Sequence, residues 1–173
     1  MSELRTNKIY PRDGITAGTY NGGGIIQVVQ GVSNSPFTTT SHVNTAYVDV
    51  TGLNVTITPK SASNKVLVKF FCYNGVDGNN VIFIRLYRDS TFIGQPSGTS
   101  ASGATWNAHQ FSYYGSTYQD SSCFEYLDSP ATTSAITYKV KIAVTGGTAA
   151  INKFTGTSNY YGVSTITAME VSA

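Results

Sequence analysis

The sequence predicts an all-β fold: a two-sheet antiparallel β-sandwich, jelly-roll-like, preceded by an extended N-terminal arm. Segments with apolar residues at every second position recur along the chain, which is the pattern of strands with one buried face. Clusters of Gly, Ser, Thr, Asn and Pro separate these segments at intervals of about ten residues, as in sandwich folds. No long segment has the three- and four-residue apolar spacing of an amphipathic helix.

The composition agrees with this fold class and excludes several functions. The 173 residues include 17 Gly and 12 Tyr, which is typical of turn-rich β proteins. Charged residues make up only 12% of the chain, and the net charge of +2 is too small to favour binding to nucleic acid or to an anionic membrane. Residues 1–13 contain no signal-peptide pattern, and no apolar run is long enough for membrane insertion. We therefore expect a protein that is synthesised in a cytoplasm.

Residues 1–24 are predicted to form an attachment arm and a glycine linker outside the core. Large apolar residues are sparse there, and Pro11 and the glycines at 14, 18 and 22–24 interrupt regular structure. A segment with so few apolar side chains cannot offset its own ordering entropy, so it is either disordered or bound to another protein. The body of the protein, a β-sandwich knob, is then residues 25–173.

The first half of the body predicts short strands. Residues 25–30 form the first strand and residues 36–40 a loop. Residues 46–50 and 55–58 are predicted as two separate strands, because the turn-forming sequence Thr-Gly-Leu-Asn lies between them.

The segment 65–73 is apolar on both faces. Its alternating side chains are Val66, Val68, Phe70 and Cys72 on one face, and Leu67, Phe71 and Tyr73 on the other. Apolar residues on both faces indicate a central strand, or a strand whose outer face contacts another subunit.

The clearest strand pattern is at 135–144, where apolar residues alternate with Thr137, Lys139 and Lys141. We expect this strand to have one buried and one solvated face. Further strands are predicted at 81–88, 108–114, 121–127, 148–153 and 163–171, with a hairpin at 89–94, and the total is eight to ten.

The two cysteines, Cys72 and Cys123, both lie within apolar strand-like segments. Free Cys is among the most buried residue types, so two buried thiols are favoured over a disulfide.

No combination of residues predicts a catalytic or metal site. His42 and His109 lack Cys, Asp or Glu at ligand spacing, and the sequence at 77–80 fits a turn better than a calcium loop. Glu125 and Asp128 give no indication of the paired-carboxylate cleft of a glycosidase. We therefore expect neither an enzyme nor a bound cofactor or metal ion.

A group of residues in or beside the predicted loops is of a type that can contact sugars. Aromatic rings stack on sugar rings, while neighbouring polar side chains bind hydroxyl groups. The alternative is that these rings cap the sandwich or fill a contact between subunits. The candidates for glycan contact are Trp106, His109, Tyr113, Tyr114 and Tyr118, and Tyr160 and Tyr161 are further loop tyrosines.

Two groups of short motifs are distinctive. The first is the opening MSELRTNKIYPRDG, with its Leu4-x-x-Asn7-x-Ile9 pattern, followed by GGGIIQV at 22–28. The second comprises YVDVTGLNVTITP at 47–59, NKVLV at 64–68, LYRDST at 86–91, AITYK at 135–139 and STITAME at 164–170. The first group resembles the N-terminus of tailed-bacteriophage virion proteins, particularly from marine and cyanobacterial phages. The second is similar to the knob domain of phage fibre-like proteins.

This resemblance implies a structural component of a bacteriophage virion: a compact fibre, spike or decoration appendage on the tail or the head. It also implies a jelly-roll-like knob, usually a homotrimer, that the arm attaches to other virion proteins. An alternative is a host-receptor or carbohydrate-binding module that uses the loop aromatics. The arm residues expected to anchor are Leu4, Arg5, Asn7, Ile9 and Tyr10, and the residues expected at the threefold seam are Leu67, Phe71 and Tyr73.

Overall fold

The computed structural model describes residues 24–95, 109–112, 118–153 and 161–172, with only the backbone described for 109–112 and for Tyr118. These residues form strands without any helix. The strands are β1 (Ile25–Ser33), β2 (Phe37–Thr39), β3 (Val48–Ile57), β4 (Lys65–Val76), β5 (Val81–Arg88), β6 (Thr91–Phe92), β7 (His109–Ser112), β8 (Tyr118–Asp128), β9 (Ile136–Val144), β10 (Ala149–Ile151) and β11 (Ser164–Val171).

The strands form two antiparallel sheets, which confirms the predicted fold class. Sheet A has the order β1-β11-β4-β10-β2, with β8 on the other edge of β4. Sheet B has the order β3-β9-β5-β6, with β7 also on β5. Within sheet A, β11 and β10 pair with successive parts of the same edge of β4, so they act as one interrupted strand.

The winding of the chain through the two sheets is that of a jelly roll. If β1 with β2, β11 with β10, and β6 with β7 are each counted as one position, each sheet has four positions. Numbered in chain order, they lie as 1-8-3-6 in sheet A and 2-7-4-5 in sheet B. Neighbouring positions in each sheet are therefore distant in sequence and come together as a double-sheet jelly roll does.

The core lies between the two sheets and follows the period-two pattern of the strands. Along β9 the predicted inward residues are buried, while Thr137, Lys139 and Lys141 are half-buried on the outer side. In β4, Val66, Val68, Phe70 and Cys72 point inward, and this strand pairs on both edges, as predicted for a central strand.

Three local predictions were wrong. Residues 48–57 form one strand, because the turn-forming residues are absorbed by an irregularity in the pairing of β3 with β9 and by a positive φ of 78° at Gly52. Residues 37–39, predicted as loop, form the short β2, which pairs with β10. The chain contains eleven strands within the described residues, one more than the upper expectation.

The cysteine prediction was right about the absence of a disulfide and wrong about burial. Cys72 is a buried free thiol, and burial raises its pKa. Cys123 is also free, but it is exposed. The physical reason is register: Cys123 lies opposite Phe71, on the outer face of sheet A, whereas Cys72 lies one residue further along β4 and faces the core.

A buried asparagine joins the interrupted strands of sheet A. Asn152 follows β10 and donates from its backbone amide to the carbonyl of Tyr73 at 2.9 Å. Its Nδ2 donates to the carbonyl of Ser33 at 2.7 Å, and its Oδ1 accepts from Ser164 Oγ at 2.6 Å. The side chain therefore connects the ends of β1 and β10 with the start of β11. This is the level at which the pairing partner of β4 changes from β11 to β10.

A second polar contact connects the two sheets. Asp128 at the end of β8 accepts two hydrogen bonds from Arg88 Nη1, at 3.0 and 2.9 Å, and one from the Tyr138 hydroxyl at 2.7 Å. Arg88 and Tyr138 are opposite each other on β5 and β9. Burial and the bond to Asp128 raise the pKa of Tyr138, so its hydroxyl stays a donor.

Candidate functional site

The three residues predicted for a subunit seam share the outer face of β4. Phe71 is the most open of them, with 40% of its surface exposed, and Leu67 and Tyr73 are half-buried. Tyr73 is partly used within the chain: its hydroxyl donates to Gln119, and the backbone of Gly162 packs against its ring. Leu67 and Phe71 are therefore the members of this set that are placed for contact with another molecule.

The register of sheet A places these two residues in rows of mainly apolar side chains. One row crosses four strands as Val28, Met169, Leu67 and Leu127, and a second row as Val32, Thr165, Phe71 and Cys123. Between them lies a polar row of Gln30, Thr167, Lys69 and Glu125. We call the residues Val28, Val32, Leu67, Phe71, Leu127 and Met169 the apolar face.

Several side chains of the apolar face are open to solvent. Val28, Val32 and Leu127 have 55%, 52% and 47% of their surface exposed. Large apolar groups that lie together on an exposed surface are typical of interaction sites. Sequence analysis found the β4 part of this face, but missed Val28, Val32 and Leu127, because they join it only through long-range register.

The outer face of sheet B has a different chemistry. Lys141 lies between Asp49 and Arg85 in one cross-strand row, and Lys139 lies opposite Tyr87 in the next. Lys139 Nζ is 3.1 Å from Asp49 Oδ2, and Lys141 Nζ is 3.0 Å from Asp49 Oδ1. Burial acts to raise the pKa of Asp49, but the hydrogen bonds from Lys141 and Lys139 outweigh it and the pKa is lowered.

Aromatic rings pack beside these charges. The guanidinium carbon of Arg85 lies 3.6 Å from the ring centroid of Tyr47 and 4.7 Å from that of Phe92. Phe92 stacks on Tyr87 with ring centroids 5.7 Å apart, and Lys141 Nζ is 5.0 Å from the Tyr87 centroid. These residues form the charged–aromatic cluster: Tyr47, Asp49, Arg85, Tyr87, Phe92, Lys139 and Lys141.

Sequence analysis did not join the residues of the charged–aromatic cluster to one another. Lys139 and Lys141 were predicted to point outward, and they do so, half-buried. The signal that could have joined them to Asp49 is the polar side of each alternating strand. The pairing of β3, β9 and β5 is needed to place those sides next to one another.

Other predicted site residues lie wholly or partly outside the described part of the chain. The arm residues Leu4, Arg5, Asn7, Ile9 and Tyr10 are outside it, as are Trp106, Tyr113, Tyr114 and Tyr160. The backbone of His109 pairs with Ile84 in sheet B, whereas that of Tyr118 pairs with Val76 in sheet A. These two glycan candidates therefore belong to different sheets. Tyr161 is exposed.

The acidic residues that were considered for glycosidase catalysis or calcium binding lie in ordinary strand and turn positions. Glu125 is on the outer face of β8 opposite Lys69, while Asp128 is buried, so they lie on opposite faces of that strand. Asp77 Oδ1 accepts the amide of Thr148 at 2.6 Å, and Asn80 Nδ2 donates to the Asp77 carbonyl at 2.7 Å, as expected of a turn.

Within the described residues, His, Cys, Asp and Glu side chains form no group of three that could hold a metal ion. The same part of the chain contains no helix that is long and apolar enough to span a membrane.

The sequence matches no protein-family profile, and it matches no curated protein. Among solved structures it is similar to that of the Gx strain of infectious bursal disease virus, with 10% identity and a TM-score of 0.42 over 85% of this chain and 36% of the other. It is also similar to the Gt strain structure, with 11% identity and a TM-score of 0.41 over 98% and 43% of the two chains. For the VP2 subviral particle of the same virus, the values are 13% and 0.41 over 85% and 38%. The chain therefore spans less than half the length of each of these chains.

Proposed function

We propose that this protein is a structural component of a bacteriophage virion that assembles as a homotrimer through the apolar face. It would form a compact fibre, spike or decoration appendage on the tail or head, and residues 1–24 would attach it to other virion proteins. The motif resemblance in the N-terminal segment and through the body of the chain supports the virion role. The jelly-roll winding is compatible with it, although this fold also supports other functions.

The observation that carries the assembly part of the proposal is the apolar face itself. Val28 and Val32 on β1, Phe71 on β4 and Leu127 on β8 are apolar and exposed on the outer face of sheet A. A soluble protein gains free energy by covering such a surface, at about 25 cal/mol for each Å² of apolar area removed from water. The proposed occupants are the same rows on the other two copies, which would meet around the threefold axis of the trimer.

The attachment part rests on where the arm joins the body. Gly24 precedes β1, the edge strand of sheet A, and its carbonyl accepts the amide of Ser172. Leu4, Ile9 and Tyr10 would anchor by strand addition or by wrapping on a partner. Three arms on one trimer would raise the avidity without any new type of contact.

Light scattering of the purified protein tests the assembly. We expect a trimer in both cases: three times 18.5 kDa for the full chain, and three times its own smaller chain mass for a chain that begins at Gly24. Phe71→Asp and Leu127→Asp should shift the mass to that of a monomer, because each places a charge in the proposed contact. Thr91→Asp, on an exposed position of sheet B, is the matched control and should remain trimeric.

A monomeric full chain at micromolar concentration would contradict the proposal. A trimer that forms only when the arm is present would also contradict it, since the arm and not the apolar face would then build the oligomer.

Contact of the loop aromatics with a host glycan is a second proposal, compatible with the first. A glycan array compares the full chain with Trp106→Ala and Tyr114→Ala. Binding that is lost in both variants would support it, and the absence of any signal would leave only the structural role.

A further inference from the structure

We propose that the charged–aromatic cluster on sheet B binds an acidic saccharide, a sugar that carries a carboxylate or a sulfate group. This site is on the opposite sheet from the apolar face, and it does not include the loop aromatics discussed above. The proposal does not depend on the oligomeric state or on a virion role.

The first argument is the shared carboxylate. Two ammonium groups, on Lys139 and Lys141, contact the two oxygens of one side chain, Asp49. These three groups together carry one excess positive charge. Each ammonium has three N–H donors, and the contact with Asp49 needs only one of them. A second anionic group on the open side of the two lysines could therefore take the remaining donors.

The second argument is that the lysines are held in position before any ligand arrives. Their side chains are only 25% and 22% exposed, whereas that of Asp49 is 53% exposed. A surface lysine normally loses much rotamer freedom when it binds an anion. Here packing and the bond to Asp49 have already removed that freedom, which reduces the cost of binding.

The third argument concerns the class of the anion. Tyr87 and Phe92 form a stacked pair of rings beside Lys141. The guanidinium group of Arg85 contacts the rings of both Phe92 and Tyr47. An inorganic anion would use only the ammonium groups. A sugar ring would also pack its C–H groups on the aromatic surface while its acid group contacts the lysines, so the adjacent rings favour a saccharide.

The fourth argument is an unsatisfied hydroxyl in the same cluster. The hydroxyl oxygen of Tyr47 is buried and has no hydrogen-bond partner among the described residues. Burial is also the main cause that raises the pKa of Tyr47, so the hydroxyl keeps its proton and can donate. Buried polar groups are normally paired. A sugar hydroxyl that reaches the Tyr47 hydroxyl would supply the missing hydrogen-bond partner.

Isothermal titration calorimetry on the full chain tests the site with three probes. They are trigalacturonate and sialyllactose as acidic saccharides, and maltotriose as the neutral control. We expect binding of at least one acidic probe, no binding of maltotriose, and weaker binding when NaCl is raised from 50 to 500 mM, because screening reduces the attraction between charges. Equal binding of maltotriose and the acidic probes, or no binding of any probe, would overturn the proposal.

Variants then locate the site. Lys141→Met keeps most of the alkyl chain but removes the charge, and should weaken binding about tenfold, the effect of one lost charge-assisted hydrogen bond. Asp49→Asn keeps a side-chain oxygen that can accept from the lysines and hold them in place, but it removes the competing negative charge, so it should strengthen binding. If the contact of Asp49 with the lysines were only structural, the substitution would not strengthen saccharide binding.

Lys60→Met is the control, since Lys60 is exposed in the β3–β4 loop and belongs to neither the charged–aromatic cluster nor the apolar face. It should bind as the unmodified protein does, and an equal loss in Lys60→Met and Lys141→Met would overturn the assignment. If Lys141→Met does not fold, as judged by thermal melting, the Asp49→Asn result decides, and unchanged or weaker binding in that variant would contradict the proposal.

Discussion

At the scale of single residues, a few buried polar side chains hold this sandwich together where its strands are interrupted. Asn152 is fully buried and adopts a positive φ of 58°, a conformation that Asn tolerates better than most residues. Its amide contacts Ser33 and Ser35 at the end of β1 and Ser164 at the start of β11, two segments that are distant in sequence. One side chain therefore gives hydrogen-bond partners to backbone carbonyls that strand pairing does not satisfy.

Asn152→Ala should lower the free energy of unfolding by about 3 kcal/mol. The substitution leaves buried groups of Ser33 and Ser164 without their partner, at about 1–3 kcal/mol each, and it places a less suitable residue at a positive φ. Urea unfolding followed by circular dichroism measures the change. Asn44→Ala is the control, because Asn44 is exposed, and equal losses in the two variants would show that Asn152 has no special role.

Glu170 is a buried carboxylate that accepts several hydrogen bonds and forms no ion pair within the part of the chain that the structure describes. It accepts Gln27 Nε2 at 2.5 Å, Asn64 Nδ2 at 2.6 Å and the amide of Lys60 at 2.7 Å. Burial acts to raise the pKa of Glu170, but these bonds and one from the amide of Ser61 outweigh it, so the pKa is lowered. The carboxylate thus connects β1 and the β3–β4 loop with β11.

The lowered pKa of Glu170 predicts a pH dependence of stability. The carboxylate contributes its full stabilisation above the pKa of the unfolded chain, about 4.3, and this is lost as the pH falls towards the lower pKa of the folded state. Unfolding free energies of the protein and of Glu170→Gln, measured from pH 7 to pH 3, should converge at the acidic end. A constant difference across this range would contradict the lowered pKa.

At the scale of elements, regular alternation made some strands predictable, and local turn residues concealed others. Residues 81–88 were predicted with the bounds that β5 has, and the predicted 135–144 differs from β9 by one residue. β2 was missed because three residues are too few to show a period, and its existence depends on β10. β3 was divided in two because Gly52 and Asn54 are turn residues that the strand tolerates.

β1 and β3, at adjoining edges of the two sheets, approach so closely that one position requires glycine. A Cβ on Gly31 would overlap the carbonyl oxygen of Asn54. Gly31→Ala should therefore destabilise the protein by about 2 kcal/mol, the typical cost of an overpacked position. Thermal unfolding measures this, with Gly24→Ala as the matched control because a Cβ there meets nothing within 4 Å. A Gly31→Ala variant as stable as Gly24→Ala would disprove the close approach.

β11 is the element whose removal should be least tolerated. It pairs with β1 on one side and β4 on the other, and it contributes Ile166 and Ala168 to the core. Deletion of residues 166–171 should abolish cooperative unfolding and the sheet signal in circular dichroism. Deletion of residues 1–23 should preserve both, because the core cluster begins at Val50. The reverse result would contradict the division into arm and knob.

At the scale of the whole molecule, the two sheets present outer surfaces of opposite chemistry. The sequence predicted one strand of the apolar face, through Leu67 and Phe71, because both faces of that strand are apolar. It could not predict the rows that extend to Val28 and Leu127, since these depend on pairings between residues about 60 to 140 positions apart.

The different chemistry of the two outer surfaces predicts that self-association and saccharide binding respond to salt in opposite directions. Association through the apolar face should be unchanged or strengthened by 0.5 M sodium sulfate, because this salt favours burial of apolar surface. Binding of an acidic saccharide to the charged–aromatic cluster should weaken in the same buffer. Light scattering and calorimetry on one preparation compare the two, and association that weakens with salt would contradict an apolar contact.

The position of β11 in sheet A also bears on how the protein is made. Among the described strands β1 pairs only with β11, and Ser33 lies opposite Ser164. The first strand therefore cannot pair until β11, the last strand in chain order, has been synthesised. On the ribosome, the backbone N–H and C=O groups of β1 that pair with β11 would lack this partner until β11 has emerged. Such long-range pairing makes folding slow, and translation rate and chaperone supply should therefore control the yield of soluble protein.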